Sequence, residues 1–220
     1  IGCLAEVAQT IQKFSEHEPH QALISSILAG NIHTSAILEP LNQDPENPLT
    51  RAQIDGDQLT ITGTKYLSEL ASISKSLLVS VNSDEGVLLV LVDTHQTNVS
   101  KLTTTANTPA FKVDFEGITT DRSAIIHVHG RGLDALRYLL QTSMVMRSYL
   151  ALGITEKMTA LIADYTSERE QFGRVIGSFQ AVSHRAADCF IDLECLRLVN
   201  QQAAINLNTN LDCENDALVA

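Results

Sequence analysis

Apolar positions along the chain change period twice. In "LAEVAQTIQKFSE", Leu4, Val7, Ala8, Ile11 and Phe14 recur every three or four residues and make one stripe, and Leu23, Ile24, Ile27 and Leu28 repeat it in "HQALISSILAGNIHTSAIL". Residues 1–37 are therefore expected to be helical. Pro40, Pro45 and Pro48, with Asn and Asp between them, forbid a continuous helix and mark a loop.

From 51 to 128 the pattern shortens to that of strands. "QLTIT" alternates with Leu59 and Ile61 inward, "SLLVSV" and "VLLVLV" flank a hairpin turn at "SDEG", and "AFKVDF" and "AIIHVH" close the series. Short strands with no helix between them predict an antiparallel sheet or barrel-like domain. From Arg131 to about Glu170, Leu133, Leu136, Leu139, Leu140, Met144, Leu150, Leu152, Ile154, Met158 and Leu161 fit a long helix with a broad apolar face. Phe179, Val182, Ala186, Phe190, Leu193, Leu196 and Val199 make the stripe of a second, from about Ser178 to Asn206. The expected fold class is α+β multidomain: N-terminal helices (1–37), a middle antiparallel β-barrel-like domain (38–129) and a C-terminal long-helix bundle (130–220).

Composition narrows the functional classes. With 220 residues, 44% of them hydrophobic and 19% charged, the chain can bury a real core. A formal net charge of -11 disfavours nucleic acid, whose binders concentrate Lys and Arg on one face. No stretch approaches the roughly 20 apolar residues of a membrane span, and the start lacks the basic and apolar blocks of a signal peptide. These absences point to a cytoplasmic protein without membrane partners. Cys3, Cys189, Cys195 and Cys213 show no Cys-x-x-Cys spacing and are read as small, buried apolar side chains. Ile1 in place of Met, and an apolar run at 216–220, lead us to expect that the natural chain extends further at either end.

One stretch does not reduce to periodicity. In "SEREQFGRVIGSFQAVSHR", residues 167–185, Gly173 and Gly177 interrupt two helices. A helix stop and a turn explain the glycines but not Arg169, Phe172 and Gln180 around them. Ser178 is a plausible N-cap for the second helix, whose free N–H groups could hold an anion opposite Arg169. A surface ion pair of Arg169 with Glu168 or Glu170 is the simpler reading from the residues alone.

"REQFGRVIGSFQAVSHRAAD" resembles the acyl-CoA dehydrogenase signature, Arg-x-x-Phe-Gly-x-x-Ile-x-x-Phe-Gln, which ends one long helix and begins the next. "ILEP" at 37–40 resembles that family's Thr-Glu-Pro entry to the β domain, and "LTITGTKYL" its Ile-x-Gly-x-Lys strand. A divergent branch common in actinobacteria is the most similar, and relative to the family both ends look incomplete. The resemblance implies an FAD-dependent oxidoreductase that dehydrogenates an acyl-CoA thioester in lipid catabolism. It also implies a dimer or tetramer with itself or a homologous subunit, and electron transfer to an electron-transferring flavoprotein. Carried over, Arg169 would reach across the dimer interface to the pyrophosphate of the partner's FAD. Gln171 and Phe172 would be its neighbours, and Ile176, Phe179 and Gln180 would line the adenine side. A planar guanidinium suits a pyrophosphate because it can pair two oxygens at once.

Three departures from the family stand out. The loop Thr-Glu-Pro-Gly-x-Gly-Ser-Asp reads "LEPLNQDPEN" here, so Glu39 and Pro40 are kept and the glycines are not. The Trp-Ile-Thr/Ser element is replaced by "KYLSEL", where Tyr66 or Ser68 could partly substitute. The carboxylate base of the minority of members that carry it on the first long helix would fall at about Ser143, flanked by Thr142 and Met144, and no catalytic residue is assigned. These departures favour an alternative, a non-catalytic or truncated subunit that supports an active partner. His127-x-His129 is expected at a strand end with both rings on one face, His17 and His20 in solvent, Gly173-x-x-x-Gly177 without a membrane role, and Asp55-Gly56-Asp57 in a turn.

Overall fold

The computed structural model describes residues 2–15, 18–127 and 129–209. The chain forms two compact units, with the boundary between Leu140 and Gln141. The first opens with helices α1 (Gly2–Phe14) and α2 (Glu18–Leu28). Seven strands follow: β1 (His33–Ala36), β2 (Arg51–Asp55), β3 (Gln58–Glu69), β4 (Ser76–Ser83), β5 (Gly86–Asp93), β6 (Asn98–Leu102) and β7 (Ala110–Asp121). They make one mixed sheet in the order β1-β4-β2-β3-β7-β6, with β5 also on β4.

Burial explains the two kinds of strand pattern. Leu77, Val79 and Val81 of β4 and Leu88, Val90 and Val92 of β5 join a core with Leu59, Ile61, Val113 and Phe115. The intervening Leu78 and Leu89 face a second core made with Val7, Ile11, Leu23 and, from the next helix, Leu136 and Leu139. β4 and β5 are thus apolar on both faces and read as continuous runs, whereas β3 and β7 alternate.

Several expectations need correction. Residues 33–36 are strand, not helix: β1 pairs β4 in parallel, His33 opposite Ser76. "AIIHVH" forms no strand. Ile125 makes only an isolated bridge to Val90, and His127 follows it buried, accepting the Leu89 N–H at Nε2 (3.1 Å), while His129 is exposed beside Glu85. The two rings therefore share no face, and no group of metal-ligating side chains occurs among the described residues. His20 is buried against Ser15, with Nδ1 and Oγ 2.6 Å apart; His17 lies outside the described residues. Cys189 and Cys195 are exposed, not buried; Cys213 lies outside the described residues. The turns at Asp84–Glu85 and Gly56–Asp57 stand where the sequence places them.

Helix α3 (Gly132–Glu168) runs for 37 residues, and the unit boundary falls within it. After it, β8 (Glu170–Gln171) and β9 (Arg174–Val175) pair antiparallel, and α4 (Gln180–Asn208) follows. In the second unit Val145 and Ala203 form a small core flanked by Met144, Ala204 and Leu207. Arg197 pairs Glu156 at 2.5 Å, and Asn200 donates to the Ser148 carbonyl. None of the helices among the described residues is long and apolar enough to cross a membrane.

Candidate functional site

Two places in the chain carry the residues the sequence singles out, one in each unit. In the first unit, the Glu of "ILEP" and the Lys of "LTITGTKYL" form a buried ion pair. Lys65 Nζ lies 2.7 Å from Glu39 Oε1 and also donates to Ser80 Oγ (2.9 Å) and the Ile37 carbonyl (3.2 Å). The Glu39 carboxylate further accepts the Thr50 N–H and hydroxyl, the Leu49 N–H and the Asn42 amide. Burial alone would push Glu39 up, but the donors from Lys65, Thr50, Leu49 and Asn42 outweigh it and hold the carboxyl at about 2. Burial pushes the Lys65 ammonium down to about 8, against the pull of Glu39. The pair fastens the loop after β1 to β3 and β4.

That loop opens with a tight turn, Glu39-Pro40-Leu41-Asn42, in which Asn42 N–H points to the Glu39 carbonyl at 3.4 Å. Leu41 sits at φ 62, the left-handed geometry that the third residue of a type II turn requires and that glycine meets without strain. The backbone bend survives loss of the glycine, with a fully exposed leucine at its apex. Asn42 and Asp44 then accept the N–H groups of Asp44 and Glu46, so Asx turns replace the remaining glycines. Beside it, β3 bulges between Lys65 and Ser68, with Leu67 at φ 55. Tyr66 N–H donates to the Leu38 carbonyl at 2.7 Å, joining loop and bulge. Leu38, Tyr66 and Leu67 are exposed there, and Ser68 is buried with its hydroxyl unpartnered among the described residues.

In the second unit the interrupted stretch is a β-hairpin. Glu170 faces Val175 and Gln171 faces Arg174, and the Ile176 N–H donates to the Arg169 carbonyl at 2.8 Å. Its two-residue turn has Phe172 at φ 55 and Gly173 at φ 76, the type I′ form that matches strand twist. Gly173 suits this geometry. Phe172 does not, and it sits there with 92% of its surface exposed. Gly177 answers a different need: a Cβ on it would lie 2.9 Å from the Thr166 carbonyl oxygen of α3.

Strand alternation puts Gln171 and Arg174 on one face of the hairpin and Glu170 and Val175 on the other, with Arg169 and Ile176 flanking the two strands. The expected ion pair of Arg169 with Glu168 or Glu170 does not form, and neither Arg169 nor Arg174 has an ion-pair partner among the described residues. Ser178 is not the cap of α4. Its hydroxyl donates to the Val175 carbonyl, and Phe179 holds the N-cap position without a side-chain bond; the Val182 and Ser183 N–H groups donate to the Phe179 carbonyl, which leaves the Gln180 and Ala181 amides open. Phe172 meets Phe179 edge to face at 6.2 Å, and the Arg174 guanidinium lies 4.1 Å from the Phe179 ring centre. Sequence reasoning missed Arg174; hairpin register is the signal that finds it.

Guanidiniums without ion-pair partners among the described residues, two side-chain amides, one exposed and one half-buried ring and a helix start without a side-chain cap form a set that fits an anionic dinucleotide such as FAD. At the position expected for a base, Ser143 Oγ accepts from Arg147 Nε at 3.2 Å, and there is no carboxylate.

Comparison with known proteins agrees with these features. A model described as the C-terminal domain of acyl-CoA dehydrogenase matches residues 130–220. Acyl-CoA dehydrogenase FadE27 of Mycobacterium tuberculosis is 30% identical over 200 residues, covering 90% of this chain and 52% of that protein. The ChsE4-ChsE5 complex from Mycobacterium tuberculosis superposes with a TM-score of 0.87 at 27% identity, over 97% of this chain and 57% of the other. A glutaryl-CoA dehydrogenase from Mycobacterium smegmatis, solved in complex with FADH2, gives 0.89 over 99% and 58%; at 18% identity it speaks to the fold alone. The chain spans about half the length of the curated relatives it matches. Signature, fold and relatives converge, and the chain belongs to the acyl-CoA dehydrogenase family.

Proposed function

We propose that this chain contributes the cofactor-clamping part of an FAD-dependent acyl-CoA dehydrogenase that performs α,β-dehydrogenation of an acyl-CoA thioester in lipid catabolism. The observation that carries the reading is the hairpin. It keeps a phenylalanine in a left-handed conformation, fully presented, in the same short segment as two arginines without ion-pair partners among the described residues, an arrangement that folding alone does not reward. Arg169 pairs the pyrophosphate, Gln171 and Phe172 flank it, and Ile176, Phe179 and Gln180 line the adenine side. The cofactor is held by the neighbouring copy in a dimer or tetramer, as the family resemblance implies. When bound, FAD would supply the hydride acceptor for the α,β-dehydrogenation, and an electron-transferring flavoprotein in the cytoplasm would receive the electrons.

A second reading has its own support. With no carboxylate at 142–144 and a leucine turn in place of the glycine loop, the chain suits a subunit that completes the cofactor site of a homologous, active partner, and ChsE4-ChsE5 is a solved complex in the family.

The test is the visible absorption spectrum of the purified protein, with mass spectrometry of any released cofactor. Bound FAD that acyl-CoA bleaches supports the enzyme reading. FAD that no acyl-CoA bleaches supports the supporting subunit, and a protein that stays colourless with added FAD overturns the cofactor site.

A further inference from the structure

We infer that Arg174 is a specificity-determining positioning residue for the adenosine diphosphate half of the dinucleotide. The inference rests on the flavin reading above and adds to it a residue that the signature does not assign. Arg174 comes from β9, directly opposite Gln171, and shares its face of the hairpin. Its guanidinium lies over the Phe179 ring at 4.1 Å from the centroid, while the Phe172 ring stands perpendicular to that ring with the centroids 6.2 Å apart. Phe179 is therefore gripped from two directions at the residue that caps α4, and it remains partly exposed.

A ring so fixed loses little freedom when a planar heterocycle stacks on it, and a cation on its far face strengthens the stack. The Gln180 and Ala181 amides of the α4 N-terminus follow it in the chain, and Arg169, without an ion-pair partner among the described residues, lies on the same segment, suited to the phosphates that follow a purine. Arg174 would thus act through Phe179 on the adenylate, not on the isoalloxazine.

FAD and coenzyme A both carry adenosine diphosphate, whereas FMN does not. The experiment measures dissociation constants of all three for the reconstituted assembly of the wild type, Arg174→Ala and Arg174→Lys, by calorimetry and by flavin fluorescence. The expected result for Arg174→Ala is FAD affinity reduced about tenfold with FMN affinity changed less than about twofold, and partial recovery in Arg174→Lys, whose ammonium can approach the ring but cannot lie flat on it. Equal losses for FAD and FMN, or no loss for either, would overturn the inference while leaving the flavin reading standing. Loss confined to coenzyme A would overturn it in favour of the thioester carrier. A wild-type assembly that binds no FAD overturns both readings together.

Discussion

Single residues already separate what builds this fold from what the family uses it for. Glu39 and Lys65 are the letters that make two motifs recognisable, and their first role here is structural: a fully buried ion pair with every donor and acceptor occupied. Glu39 has a folded pKa of about 2 against an ordinary 4.5, so its contribution is fully present above pH 4.5 and is lost as pH falls through 2. That shift corresponds to about 3 kcal/mol. Glu39→Gln should flatten the stability profile between pH 4.5 and 2 in denaturant titrations. Lys65→Met should lower stability by roughly 3 kcal/mol, because it strands a buried carboxylate. Leu41 predicts the opposite sign. Its left-handed strain is worth about 1–2 kcal/mol, of which glycine returns part to unfolded-state entropy, so Leu41→Gly should raise the melting midpoint by a few tenths to about 1 kcal/mol equivalent. The sequence displays both motifs but not that they touch, since the partners are 26 positions apart and no local pattern encodes the pairing.

Elements were legible where burial imposes a period. The runs in β4 and β5, the alternation in β3 and β7, and the first turns of α3 all follow from which faces meet the core. β1 was not legible. "HTSA" is polar, its strand identity comes from parallel pairing with β4, and His33 Nδ1 meets Ser76 Oγ 43 residues downstream at 2.7 Å. The hairpin between α3 and α4 was half legible: its glycines announce a break, but only the register reveals that Arg174 faces Gln171. Gly177 offers the test of the element itself. A valine there would press on the Thr166 carbonyl at 2.9 Å or closer, so Gly177→Val should cost about 1–3 kcal/mol in thermal unfolding and weaken FAD binding, with Gly177→Ala intermediate.

For the whole molecule, the informative surface is the one that remains apolar. Leu150, Ile154, Met158, Leu161 and Tyr165 recur at helical spacing on α3, and all are exposed, as are Phe190, Ile191, Leu198 and Ile205 on α4. Periodicity in the sequence marks Leu150, Ile154, Met158, Leu161 and Phe190 as apolar-face positions, but it cannot say what covers them, because a stripe that meets another chain looks the same as one that meets the core. The proposed assembly gives them a partner and ties that partner to the cofactor, since Arg169 is expected to act on the FAD of the neighbouring copy. The double variant Leu150→Glu/Ile154→Glu separates this from a folding effect. Both side chains are more than half exposed, so the secondary structure and unfolding midpoint of each unit should change by less than about 0.5 kcal/mol. Sedimentation should nevertheless show the assembly falling to the monomer mass, and bound flavin should be lost with it. Loss of assembly with flavin retained would place the whole cofactor site within one chain, and an unchanged assembly would assign these faces to something other than a second copy.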